Sequence, residues 1–148
     1  MEQIFNRLRL KKDIYALVQS APKWYLDEIK KYCDNVDTSA KGKYDFVQTF
    51  ETELSKAEQS TRNLVSLLND DALLWVCYPK GSSKNYKSDI NRNKIWGLFA
   101  DYEFEPVSQV SIDDDWSAIR FRHIDKIKTL TRKTAATEKG KQRIEGKD

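Results

Sequence analysis

Lys80-Gly81-Ser82-Ser83-Lys84 is the stretch of this 148-residue chain whose residue types best suit chemistry. Glycine and serine let backbone N–H groups turn inward, and two lysines add positive charge. Asp89, a few residues on, can open a helix whose N-terminus carries about half a positive charge. Such a loop would hold an anion. Its spacing is not the GxxxxGK[ST] of nucleotide-hydrolase phosphate loops. The competing reading is a solvated connection with its lysines in water.

Asp113, Asp114 and Asp115, followed by Trp116 and Ser117, form a second cluster. Grouped carboxylates suit hard cations, but adjacent residues of a tight turn point apart and no distal Glu at calcium-loop spacing follows. A hairpin turn is the better account, and no metal site is assigned. Asp115, Trp116 and Ser117 remain candidates for function. A Ser117 nucleophile would need a base, and the sole histidine, His123, lies about 20 Å away on a continuous strand at roughly 3.3 Å per residue. Cys77 sits in the most apolar run, where burial raises a thiol pKa and suppresses reactivity. No catalytic residue and no cofactor are therefore assigned.

The elements that must position these residues follow from periodicity. Ile14 to Val18 reads as a strand, and Ser20-Ala21-Pro22 offers a cap and early-helix proline for a helix with Tyr25, Leu26, Ile29, Tyr32 and Cys33 on one face. Val36 to Ser39 is a weak strand candidate and Tyr44 to Phe50 a clear one. From Glu53 to Asn69 apolar residues fall at helical spacing, with Thr52 as N-cap. An Asn69-Asp70-Asp71 turn then leads into Ala72 to Tyr78, a continuous apolar run expected of a central strand covered on both faces. Ser88 or Asp89 would cap a helix carrying Ile95, Leu98, Phe99 and Tyr102. Pro106 to Ile112 and Trp116 to His123 read as a hairpin at the sheet edge. Trp24, Trp75 and Trp96 read as core or half-buried aromatics. The pattern predicts a three-layer α/β sandwich, mostly parallel, with a C-terminal antiparallel hairpin.

The apolar share of 39%, with four Trp, seven Tyr and six Phe, excludes a wholly disordered chain. Residues 1–125 are expected to form one domain. Residues 126–148 carry eight Lys/Arg against three acids, so this tail is basic while the rest is slightly acidic. With little apolar surface it is expected to be disordered and to make at most weak nucleic-acid contacts. No export signal or membrane span is visible, the longest apolar run being far short of about 20 residues. The two cysteines, Cys33 and Cys77, lack metal-site or disulfide spacing. A cytoplasmic protein is expected.

Several pieces resemble a family of uncharacterised bacterial proteins, domain of unknown function 3052. They are Leu8-Arg-Leu-Lys-Lys12, Tyr15-Ala-Leu-Val-Gln-Ser-Ala-Pro22, Ala72-Leu-Leu-Trp-Val-Cys-Tyr-Pro-Lys80 and Asp115-Trp-Ser-Ala-Ile-Arg-Phe121. Ala118 stands where those proteins tend to carry glycine. The element order also looks like the C-terminal half of a class I methyltransferase, which implies a Rossmann-like fold. Those enzymes hold S-adenosylmethionine with a glycine-rich turn after the first strand; here the turn is Gln19-Ser20-Ala21-Pro22. Asp37, the acid placed to meet ribose hydroxyls, lies in the weak strand. The resemblance thus implies the architecture without the cofactor.

The function read from the sequence is a non-catalytic binding or interaction module. Its anion-binding loop comprises Lys80, Gly81, Ser82, Ser83, Lys84 and Asp89, and takes an anionic small molecule or an acidic protein surface. The alternatives are a degenerate methyltransferase-like enzyme acting on a nucleotide or phosphorylated metabolite, and an accessory nucleic-acid binder using Lys126 to Asp148.

Overall fold

The computed structural model describes residues 1–130, 132 and 134–146. Strands β1 (Tyr15–Gln19), β2 (Asn35–Asp37), β3 (Tyr44–Phe50), β4 (Leu68–Pro79), β5 (Phe104–Ser111) and β6 (Trp116–His123) form one sheet in the order β2-β1-β3-β4-β6-β5. The first four are parallel; β6 runs antiparallel to β4, and β5 antiparallel to β6. Helices α1 (Glu2–Arg7) and α2 (Lys23–Tyr32) lie on one face, α3 (Leu54–Ser66) and the short α4 (Arg92–Ile95) on the other. The predicted three-layer α/β class is the observed one.

Alternation along β4 explains why its run is unbroken: Trp75 and Cys77 point into the layer with Phe5, Leu8, Tyr25 and Ile29. Leu74, Val76 and Tyr78 point into the layer with Ala57, Leu64, Ile95 and Phe99. Each large side chain so buried contributes roughly 1.5–3 kcal/mol. Trp75 satisfies its indole N–H on the Leu8 carbonyl at 3.0 Å, which ties α1 to the sheet. Trp96 is half-buried, whereas Trp24 is 41% exposed. Among the described residues no helix is long and apolar enough to cross a membrane.

Four local expectations change. The Asn69-Asp70-Asp71 turn is absorbed into β4, with Asp71 at φ 53 and a register shift opposite Tyr44 and Phe46. Pro22, not Ser20, is the N-cap of α2, and Ser20 turns the chain at φ 60. Thr52 does not cap α3; Asp89 accepts from the first helical N–H, that of Leu54, at 2.8 Å. The helix expected after Ser88 both starts later and stops at Ile95: Asn91, not Ser88 or Asp89, caps α4 by accepting from Lys94 N–H. The chain then turns through a 3₁₀ segment, Ala100–Tyr102.

Within the stretch expected to be a disordered tail, the structure places helix α5 (Glu138–Glu145), N-capped by Thr137. Its anchor is Glu105 of β5, fully buried, which accepts from the N–H groups of Ala136 at 2.9 Å and Thr137 at 2.7 Å and pairs with Arg132. Arg143 donates back to the carbonyls of Ile124 and Ile127. These contacts tie residues on either side of Asp125, the expected domain limit.

Candidate functional site

Strand order reverses between β1 and β3. From β1 the chain leaves through α2 on one face toward β2, and from β3 through α3 on the other face toward β4. The two connections diverge and leave a crevice at the carboxyl ends of the strands, where open α/β sheets bind ligands. Here it is a cavity of about 380 Å³, within the usual range for small-molecule sites.

Its floor comes from the two strand ends. Ser20, Ala21 and Pro22 follow β1, and Phe50, Glu51 and Thr52 close β3. The aromatic wall comes from Tyr86 and Trp116, whose rings lie 4.7 Å apart, while Phe50 meets Trp116 edge-on at 5.0 Å. Trp116 is 3% exposed and its indole N–H has no hydrogen-bond partner among the described residues. Buried donors are nearly always satisfied, so an unpaired one lining a cavity is conspicuous. Glu51 accepts from the Thr49 hydroxyl at 2.8 Å, and burial holds its carboxyl above the ordinary range, against the pull of that bond and of Lys56. Beneath lies a buried polar chain: Tyr25 O–H donates to Gln48 at 2.7 Å, and the Gln48 amide donates to Cys77 Sγ at 3.2 Å.

The Lys80 to Asp89 loop adjoins this crevice, but its donors are largely engaged. Asp115 accepts from Ser83 Oγ at 2.8 Å and Asn85 Nδ2 at 3.0 Å, which holds its pKa down, and its carbonyl receives Lys80 N–H. Lys80 Nζ donates to Ser111 at 2.6 Å. Asp89 is spent on α3 and Ser88 on the Thr52 carbonyl. Gly81 does not adopt a positive φ, so the turn does not require glycine there. Ser82 and Lys84 are exposed.

Asp113 accepts from the N–H groups of Asp115 and Trp116, so these acids build the hairpin turn, and no metal-holding cluster occurs among the described residues. Ser117 is buried between Tyr78 and Ser111, at the opposite end of β6 from His123. Cys77 pairs with Ala118, and burial pushes its thiol up to about 12. Of the sequence candidates, only Trp116 lines the crevice. Ser20 lies in the glycine-free turn after the first strand that the methyltransferase resemblance points to, whereas for Glu51 and Tyr86 the sequence offers no signal beyond, for Glu51, its place just past the carboxyl end of a parallel strand. Asp37 does end a real strand, but its carboxylate accepts from Tyr44 O–H at 2.6 Å.

No family model matches the chain, domain of unknown function 3052 included, and no curated protein matches it. Solved structures do. A SAM-dependent methyltransferase from Aquifex aeolicus is 12% identical, with a TM-score of 0.64 over 83% of this chain and 89% of that one. The N-methyltransferase NodS from Bradyrhizobium japonicum WM9, in complex with S-adenosyl-L-homocysteine, is 13% identical, with a TM-score of 0.55 over 83% and 86%. A protein of the NADB-Rossmann superfamily from Streptococcus agalactiae is 10% identical, with a TM-score of 0.53 over 88% and 69%. The chain therefore has the Rossmann-like fold found in these methyltransferases, and the likeness extends beyond a C-terminal half.

Proposed function

We propose that this chain is a methyltransferase-like enzyme domain that takes a nucleoside-containing small molecule into the crevice between β1 and β3. The observation that carries this reading is Trp116, which lines a cavity at the strand switch point and whose buried indole N–H has no partner among the described residues. A flat heterocycle would lie against Trp116 and Tyr86, offering an acceptor to that N–H, and Glu51 would take or give a proton or bind a hydroxyl. Two of these fold neighbours are methyltransferases, one of them in complex with S-adenosyl-L-homocysteine, which makes an adenosyl group the first ligand to try. Ser20 supplies at φ 60 the left-handed turn that glycine would otherwise give. This reading sets the Lys80 to Lys84 loop as the support of Tyr86 and Trp116 through Ser83 and Asp115, with Lys84 free to meet an anionic end of the ligand.

Calorimetric titration with adenosine and S-adenosyl-L-homocysteine tests it. Saturable binding is expected, weakened several-fold in Trp116→Phe, which keeps an aromatic ring and loses a hydrogen bond worth about 0.5–1.5 kcal/mol. Absence of saturation by either compound in the folded protein, or equal affinity in the variant, would overturn the assignment.

A further inference from the structure

Four arginines, Arg9, Arg120, Arg122 and Arg132, line a cavity of about 290 Å³ beside β5 and β6. Two have carboxylate partners: Arg122 grips Asp71 through two bonds of 2.9 and 2.8 Å, and Arg132 pairs with Glu105. Arg120 is 5% exposed, its Nε finds no acceptor, and no side-chain ion pair reaches it among the described residues. Burial, then Arg9 and Arg122, press its pKa down, and only Asp71 works the other way. Arg9, exposed at the cavity mouth, follows α1 in the left-handed region at φ 61, a strained conformation for an arginine, and has no ion-pair partner among the described residues. A buried guanidinium among like charges is costly to fold unless an anion from outside completes it.

We propose that this cavity binds a small phosphorylated molecule through its phosphate monoester, held by Arg120 and Arg9. The charge count selects the ligand. Among the described residues neither the buried Arg120 nor the exposed Arg9 has an ion-pair partner, and a phosphate monoester near neutral pH brings nearly two negative charges. The planar guanidinium fork matches its oxygens in paired hydrogen bonds. Ser108, opposite Arg120 in register, and Thr129 add hydroxyls to the lining. The volume lies near the lower end for small-molecule pockets, which suits a short phosphate ester better than a whole dinucleotide. Arg120 is four residues along β6 from Trp116, about 13 Å at strand rise, so the site is separate from the crevice.

The test uses the full chain with glycerol 3-phosphate, inorganic phosphate and acetate at constant ionic strength, read by thermal shift and calorimetry. Both phosphate probes are expected to raise the Tm saturably while acetate does not. Arg120→Met should lose that shift entirely yet melt no lower than wild type without probe, and Arg9→Ala should bind at least tenfold more weakly. Wild-type affinity in Arg120→Met, or no saturable binding of either phosphate probe, overturns the proposal. If Arg120→Met fails to fold, Arg9→Ala decides, and undiminished affinity there overturns it. A short DNA duplex that binds through Arg120 where glycerol 3-phosphate does not would also overturn it, by making the occupant a nucleic-acid backbone.

Discussion

Glu105 on β5 and Arg120 on β6 are both buried charges on neighbouring strands, and they are treated in opposite ways. Around Glu105 the chain after β6 closes with backbone donors, the Thr137 hydroxyl and the Arg132 guanidinium. Even Gly140 fits this purpose, since an added Cβ there would collide with the Glu105 carboxylate and with Thr137. Around Arg120 the described residues leave Nε without an acceptor and provide no ion-pair partner, and three other arginines share its cavity. A charge that the fold needs for itself is surrounded by its own chain. One left bare beside a cavity faces a partner from outside. Lys80 and Ser83 belong with Glu105 in this respect, because Ser111 and Asp115 have taken up their side-chain donors.

The largest expected effect breaks the Glu105 side of the contrast. Truncation after Leu130 removes every partner of a fully buried carboxylate, and urea denaturation should show a loss of about 3–5 kcal/mol. Adding Glu105→Leu to the truncated chain should recover part of it, since no bare charge then remains. A tail that leaves stability untouched would put Glu105 outside this account. On the other side, Arg120→Met removes an unsatisfied group and should stabilise by up to about 1–2 kcal/mol without ligand. A loss of that size would mean that the guanidinium has an internal partner.

Titration sharpens the comparison for the crevice and its supporting loop. Asp115 and Asp71 have depressed pKa values, set first by Asn85 and by Arg122 respectively. Their contribution is present above the unfolded carboxylate value of about 3.9 and disappears as pH falls through the folded values. Asp115→Asn should therefore flatten the acid limb of the Tm-against-pH curve. Glu51 has the opposite sign. Burial raises its pKa, so its ionisation costs stability as pH rises from 4.5 through the folded value. Glu51→Gln should gain stability relative to wild type across that window, and a parallel pair of curves would remove the desolvated acid from the site. The smallest effect is at Gly81, whose φ is not positive and whose Cβ position is open. Gly81→Ala should be neutral or stabilising by about 0.4–1 kcal/mol, and a clear loss would show that the loop needs its glycine after all.

The alternation of Tyr44 to Phe50, the doubly buried run before Pro79 and the hairpin around Asp113 were legible because periodicity and turn chemistry are local. So was the burial of Cys77, deep in its apolar strand. The candidate site was scarcely legible. The turn holding Ser20 was visible as the place of a cofactor turn but without its glycines, and Glu51 is unremarkable until strand order places the ends of β1 and β3 side by side. The donors of Ser83 and Asn85 look available until the fold brings Asp115 to them from about 30 residues away. Helix caps failed for the same reason, Asp89 crossing 35 residues to serve Leu54. Residue type and spacing thus determined the elements, the layers and the mostly parallel sheet. Which charges found a counter-charge, and which were left bare beside a cavity, depended on contacts between segments distant in the chain, and only tertiary packing decides those.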